Sequence, residues 1–306
     1  MPATDSTTLP VLVVGATGSL GGKVVDELLA RGKKVRALVR PTSDASRLES
    51  RGVRIARGDM LDVDSLVAAM KGTDAVITTA AGYTRGGKNA YDIDTIGNAN
   101  LAEAAHRSGI RRFVLTSILE SDKTPDVPHF WHKKLAEDKL EQLGVPFVAL
   151  RPGAFLDQIA TSAGNPIDKG RMIWIGKTSV PLTFVRMSDL AAYLAAAVDA
   201  DIQDGERIDI GWDRPVSMRE VADLMSRRAG KKIKVWAVPP PVTRAAAAVA
   251  GRFMPLLKDM AAMFHWFDTG RYVADPTRQE QLFGPAPTAE EAIARFTDEL
   301  DTAQRR

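Results

Sequence analysis

Residues 11–32 read VLVVGATGSLGGKVVDELLARG. Val11–Val14 is a continuous apolar run, as expected of a parallel strand covered on both faces. Gly22–Arg31 carries Val24, Val25, Leu28 and Leu29 on one stripe, the spacing of an amphipathic helix, and Gly32 ends it. Between strand and helix stand Gly15-Ala16-Thr17-Gly18-Ser19-Leu20-Gly21. Glycines there let the backbone turn tightly. They also let a pyrophosphate approach the free N–H groups and positive dipole end of the helix. A Gly-rich turn with no ligand is the competing reading. The agreement of strand, glycines and helix favours the dinucleotide.

The alternation continues outward. Lys34–Arg40, Val53–Ala56, Ala75–Thr79, Arg112–Thr116 and Phe147–Leu150 read as strands, and Ser65–Met70, Ile93–Arg107 and Phe130–Leu143 as helices. This βα repeat predicts an α/β fold with a Rossmann-type, doubly wound parallel sheet. After Arg151 the pattern is less regular. Met172–Ile175, Arg207–Ile210 and Lys232–Val238 look like strands, the last closed by Pro239, Pro240 and Pro241. Ser188–Val198 and Ser217–Arg228 look like Ser-capped helices. In Thr288–Leu300, Thr288 and Glu291 are spaced for a capping box. The expected organisation is a dinucleotide-binding domain over residues 1–151 and a smaller α/β C-terminal lobe over 152–306 that mainly binds substrate. Residues 183–200 are expected to return to the first part.

Composition narrows the chemistry. The chain has 306 residues, 45% of them hydrophobic, with 41 Lys and Arg against 38 Asp and Glu, so it reads as globular rather than disordered. It has no Cys, which excludes thiolate metal sites, iron–sulfur clusters, disulfides and cysteine nucleophiles. The four His show no paired spacing, and no metal site is expected. A net charge of +3 spread along the chain argues against a nucleic-acid partner. Met1–Pro10 is polar, and Val11–Val14 and Ala245–Ala250 are far too short to span a bilayer. The chain therefore reads as a cytoplasmic protein with a small-molecule substrate and no membrane partner.

The spacing Gly-x-x-Gly-x-x-Gly in GATGSLG resembles that of extended and atypical short-chain dehydrogenase/reductases. Further residues carry the resemblance: Gly58-Asp59-Met60, Thr78–Gly82, Asp94-x-x-Gly97-Asn98-x-Asn100-Leu101, Phe113–Ser117, Arg151-Pro152-Gly153-Ala154 and Gly284–Thr288. In pattern the chain is most similar to the NmrA-like, NAD(P)-binding branch. The resemblance implies a cofactor held by Gly15, Thr17, Gly18, Ser19, Leu20 and Gly21, by Asp59 and Met60 near adenine, and by Ala80 and Ala81 after strand four. Lys133, Pro152, Gly153 and Ala154 complete the implied set. Cofactor choice turns on the end of strand two, where an NAD site places a carboxylate for the ribose 2′-OH. Here that position holds Arg40, with Thr42 and Ser43 behind it. A guanidinium can hold a 2′-phosphate by paired charge-assisted hydrogen bonds, so NADP is expected. A merely solvated Arg40 is the alternative.

Active members of that superfamily use Tyr-x-x-x-Lys on the helix before strand six. Here the stretch is His129-Phe130-Trp131-His132-Lys133-Lys134-Leu135-Ala136-Glu137. Aligning Ala136-Glu137 with the family's Ala-Glu places its Lys at Lys133 and its Tyr at His129. The expected catalytic residues are Lys133, as ribose anchor or proton donor, Ser117, matching the family's Ser/Thr, and His129, as a substitute acid. The bland readings are a surface Lys133 paired with Glu137 at i+4, a strand-end Ser117 and a helix-start His129. His132 should point off the Lys133 face, and Tyr83 is a further possible donor. Met260, Met263, Phe264, Trp266 and Phe267 read as core packing or as an apolar lid. The expected function is NADP-dependent hydride transfer to a ketone or conjugated double bond of a small, mostly apolar substrate. The alternative is an NADP(H)-sensing regulatory protein without turnover. A nucleotide-sugar epimerase or dehydratase is disfavoured by the missing Tyr.

Overall fold

Val11–Val14 (β1) is fully buried because its two faces feed two cores. Leu12 and Val14 pack with Leu101, Ala105 and Leu140, while Val11 and Val13 pack with Val24, Leu28, Leu190 and Leu194. Side chains alternate across a strand, so a strand covered on both faces has no polar position. The computed structural model describes residues 9–83, 90–239 and 255–304. Pro240, Pro241, Met254, Ala245–Ala250 and most of Met1–Pro10 lie outside them.

β1 pairs in parallel with Val35–Val39 (β2) and with Ala75–Thr78 (β4). Arg54–Arg57 (β3) flanks β2, while Arg112–Thr116 (β5) and Phe147–Pro152 (β6) extend the other side. A seventh parallel strand, Glu206–Ile210, pairs with β6 from the second half of the chain. The order is β3-β2-β1-β4-β5-β6 and then that strand. It reverses between β1 and β4, so the loops leaving these two strands diverge and open a crevice at their C-terminal ends.

Ser19–Ala30 (α1) covers one face together with the short Ser46–Glu49 (α2), through Leu48, and with Met187–Ala196, whose Leu190 and Leu194 meet Val24 and Leu28. Each such fully buried aliphatic side chain contributes about 1.5–3 kcal/mol. Val63–Met70 (α3), Asn98–Arg107 (α4) and Pro128–Gln142 (α5) cover the other face. A separate core beyond the sheet gathers Trp174, Leu182, Phe184, Trp212, Val221, Ile293 and Phe296. No helix among the described residues is long and apolar enough to cross a membrane.

Several expected boundaries move for local reasons. The third helix begins at Val63, not Ser65, because Asp62 accepts from the backbone N–H groups of Asp64 and Ser65. The long helix expected over Ile93–Arg107 opens as a π-helix, Tyr91–Gly97. There the Asn98 amide donates to the carbonyls of Ile93 and Asp94, and Gly97 lies so close to Met60 that a Cβ would stand 3.0 Å from Met60 Cε. The strand expected from Lys232 begins at Lys234. Ser217 caps its helix, its hydroxyl oxygen accepting from Glu220 N–H at 3.2 Å. Ser188 is no cap: its helix begins at Met187, whose N–H is satisfied by the distant Asp157 carboxylate at 2.8 Å. Thr288 and Glu291 form the reciprocal capping box, at 3.1 and 3.2 Å.

Candidate active site

A cleft of about 580 Å³ follows the C-terminal ends of the sheet strands. All eighteen candidate residues line it, from Gly15 and Arg40 at one end to Ser117, His129 and Lys133 at the other. Thr42 and His132 do not.

The glycine turn is built for close approach. Gly15 has φ +87°, and a Cβ there would stand 2.7 Å from Thr79 Oγ1. A Cβ on Gly21 would meet the Gly15 carbonyl oxygen at 2.1 Å. α1 therefore starts directly against β1, with Gly18 at its N-cap. No side chain caps that end, and no acidic residue stands in its first turn. Its free N–H groups face the cleft without a competing carboxylate, so the turn fits a phosphate-bearing cofactor.

Arg40, just past β2, is exposed, and its guanidinium forms no ion pair among the described residues. The turn that carries it is braced by Arg57, whose Nη1 donates to the carbonyls of Arg40 and Ser43 at 3.1 and 2.7 Å. Arg57 escaped the sequence reading because its role is to hold backbone from a neighbouring strand. Beside this turn, the Met60 carbonyl accepts from Asn100 Nδ2 at 2.9 Å, tying the β3 loop to α4.

At the other end Lys133 is buried, and its Nζ donates to the Ala80 carbonyl at 3.0 Å. Burial lowers the Lys133 pKa, and the Asp94 charge opposes that shift. Asp94 is buried too, and its carboxylate accepts from the N–H groups of Gly82 and Tyr83 at 2.9 and 3.1 Å. The π-helix thus fixes the loop whose carbonyl receives Lys133. Gly153, after β6, approaches Thr183 so closely that a Cβ would stand 2.5 Å from its carbonyl oxygen.

The alternative readings of Lys133 and Ser117 do not describe the packed site. Lys133 is neither on the surface nor paired with Glu137. Glu137 is 1% exposed and turns to Arg151, Arg207 and Ser117 instead. The Ser117 hydroxyl donates to Glu137 Oε1 at 2.5 Å, so its proton is already committed. Burial alone would pull the Arg151 pKa down, but the Glu137 and Asp122 carboxylates hold it above the ordinary arginine value.

His129 is no free helix-start residue. Its Nδ1 lies 2.5 Å from Asp259 Oδ1, and its ring stacks on Tyr83 with centroids 3.9 Å apart. Burial first, and then the Asp259 charge, raise the Tyr83 pKa. Asp259 sits 130 positions away in the chain, which is why sequence spacing gave no sign of it. It belongs to the helix Pro255–Phe267, whose side chains divide between the cleft wall and the core. Met260, Met263 and Phe264 face the cleft; Phe267 does so while buried against Trp174 and Tyr272; Trp266 is off the cleft wall. Among the described residues no three His, Asp or Glu side chains converge as a metal site.

A family model described as NmrA-like matches residues 7–300. The chain belongs to the NmrA-like family. It is 28% identical over 234 residues to the photosystem II assembly factor Ycf39 of a Synechocystis strain, covering 76% of this chain and 72% of that protein. It is 27% identical over 248 residues to the NAD(P)H azoreductase of Xenophilus azovorans, covering 80% and 82%. In fold it resembles the NADPH-dependent quinone oxidoreductase of Escherichia coli in complex with NADPH, with a TM-score of 0.79 and 20% identity over 95% of this chain and 99% of that one. The triphenylmethane reductase of a Citrobacter species with NADP(H) gives a TM-score of 0.76 at 21% identity, over 93% and 99%. This NmrA-like chain thus has the fold of known NAD(P)-dependent reductases.

Proposed function

We propose that this NmrA-like protein is an NADP-dependent reductase of small, mostly apolar molecules bearing a ketone or conjugated double bond. The observation that carries the reading is one continuous cleft. It joins the glycine turn and Arg40, through buried Lys133, to an apolar compartment walled by Ile159, Trp174, Met263 and Phe264. Residues 1–151 are read as the cofactor half and 152–306 as mainly the substrate half.

NADPH, when bound, would supply the hydride equivalent. The chain's own residues bind and orient. The first turn of α1 takes the pyrophosphate, and Arg40 and Ser43 take the 2′-phosphate. Asp59 and Met60 flank the adenine, and Ala80, Ala81, Pro152, Gly153 and Ala154 shape the floor. Lys133 anchors the ribose or holds a proton at Nζ. Apolar walls exclude water from the reacting groups.

The test follows NADPH absorbance during incubation with quinones, enones, ketones and azo dyes. Oxidation with at least one class is expected, with turnover lost in Lys133→Ala; NADPH affinity kept in that variant assigns Lys133 the proton, and affinity lost with turnover assigns it the ribose. Tight NADPH binding with no oxidation across the panel would overturn it in favour of a sensing role. That second reading draws on His129 standing where the family's Tyr would be, and on the similarity to assembly factors.

A further inference from the structure

We infer that Asp259 is a positioning residue that fixes His129 as the proton donor of the cleft, from a helix that also walls the apolar compartment. This rests on the reductase reading above. Asp259 is 7% exposed, on an otherwise mostly apolar helix whose other polar side chains, Lys258 and His265, are exposed. A carboxylate buried in such surroundings is costly unless a partner satisfies it, and the partner here is His129 Nδ1 at 2.5 Å.

The geometry sets the tautomer. An ionised carboxylate only accepts, so Nδ1 must carry the proton. Nε2 is then the nitrogen through which a proton can leave and return. It has no hydrogen-bond partner among the described residues, and His129 lines the cleft four positions before Lys133 on α5. The stacked Tyr83 ring on one side and Phe130, edge-on at 4.6 Å, restrict ring rotation. A fixed orientation with one free nitrogen is what a general acid needs.

The proton step balances simply. When two electrons and one hydrogen reach the substrate from a dihydronicotinamide, its oxygen or nitrogen gains negative charge. The N–H bond at Nε2 of the imidazolium breaks, an O–H or N–H bond forms on the substrate, and the imidazole is left neutral. Water at the cleft mouth returns the proton, and Asp259 keeps its charge throughout. His132, Lys133, Asp94 and Tyr83 are the other titratable groups nearby.

The test uses the full chain and the variants Asp259→Asn, Asp259→Glu and His129→Gln. With four histidines in the chain, ring nitrogen chemical shifts can be assigned residue by residue. In the wild type His129 Nδ1 is expected to be protonated, with a strongly hydrogen-bonded proton that Asp259→Asn abolishes. With the best substrate of the panel, Asp259→Asn and His129→Gln each lower kcat roughly 100-fold with little change in KM or NADPH affinity. Asp259→Glu restores part of the kcat. An Nδ1 signal indifferent to Asp259→Asn, an unchanged kcat, or a loss of NADPH affinity that parallels the loss of turnover would overturn the inference. A wild type inert towards every substrate overturns the reductase reading and the donor role with it. The nitrogen shifts then still decide whether Asp259 fixes the ring.

Discussion

Glu137→Gln separates two very different roles for one carboxylate. As an i+4 helix partner of Lys133 it would be worth only tenths of a kcal/mol. In the structure Oε1 accepts from Ser117 Oγ at 2.5 Å and Arg151 Nε at 3.0 Å, and Oε2 accepts from Arg151 Nη2 at 2.7 Å and Arg207 Nε at 2.9 Å. A glutamine keeps the shape but turns one acceptor into a donor that faces a guanidinium. Breaking a buried pair from one side costs about 3–5 kcal/mol, because the remaining charge is stranded. Arg151 and Arg207 each keep a second carboxylate, Asp122 at 3.2 Å and Glu141 at 2.8 Å, so the lower end applies. We expect a loss of about 3 kcal/mol, or roughly 6 °C in Tm at about 2 °C per kcal/mol for a chain of this length. Urea unfolding followed by tryptophan fluorescence gives the free energy, with the slope checked for constancy. A double-mutant cycle should show coupling of Glu137 to Arg151 and coupling to Lys133 below about 0.5 kcal/mol. A destabilisation under about 1 kcal/mol, or coupling to Lys133 instead, would refute the buried hub.

Gly21→Ala places a Cβ against the Gly15 carbonyl, where two backbones cannot give. It should cost about 3 kcal/mol of stability and abolish measurable NADPH binding, read by thermal unfolding and fluorescence titration; normal binding would contradict the close approach. Arg40→Glu should weaken NADPH binding by about 10- to 100-fold and leave NADH nearly unaffected, since only the 2′-phosphate distinguishes them. A ratio of dissociation constants that does not move would return Arg40 to the solvated surface. Lys133→Met should end turnover yet raise Tm, because burial penalises the ammonium. The sign follows from the lowered folded-state pKa. The penalty is fully present below that pKa and fades as pH rises towards the ordinary lysine value of 10.5, where the unfolded chain also loses its proton. The Tm gap between variant and wild type is therefore widest at low pH and closes towards pH 10.5; a gap that widens with pH would contradict it.

The sheet, the glycine turn and the candidate cleft residues were legible in the sequence because they are written in local terms. Val11–Val14 shows burial on both faces by having no polar residue, and Gly15, Gly18 and Gly21 mark a turn by their spacing alone. Thr288 and Glu291 could be paired because a capping box spans three residues. Partners far apart in the chain were beyond such reasoning. Helical spacing offered Glu137 to Lys133, but the fold brought Arg151 and Arg207 to that carboxylate and the Ala80 carbonyl to that lysine. Ser188 sat at a plausible cap, and the tertiary structure filled the role with Asp157, 30 positions before the Met187 N–H it accepts from. Most far-reaching for the chemistry, His129 was a lone ring beside a proline until packing set Tyr83 against its face and Asp259 against its nitrogen. Backbone preference and hydrophobic period act over a few residues, so the sequence by itself determined the parallel sheet and its glycine turn. A buried charge takes whichever partner the packed chain delivers within hydrogen-bond distance, and that only the tertiary structure decided.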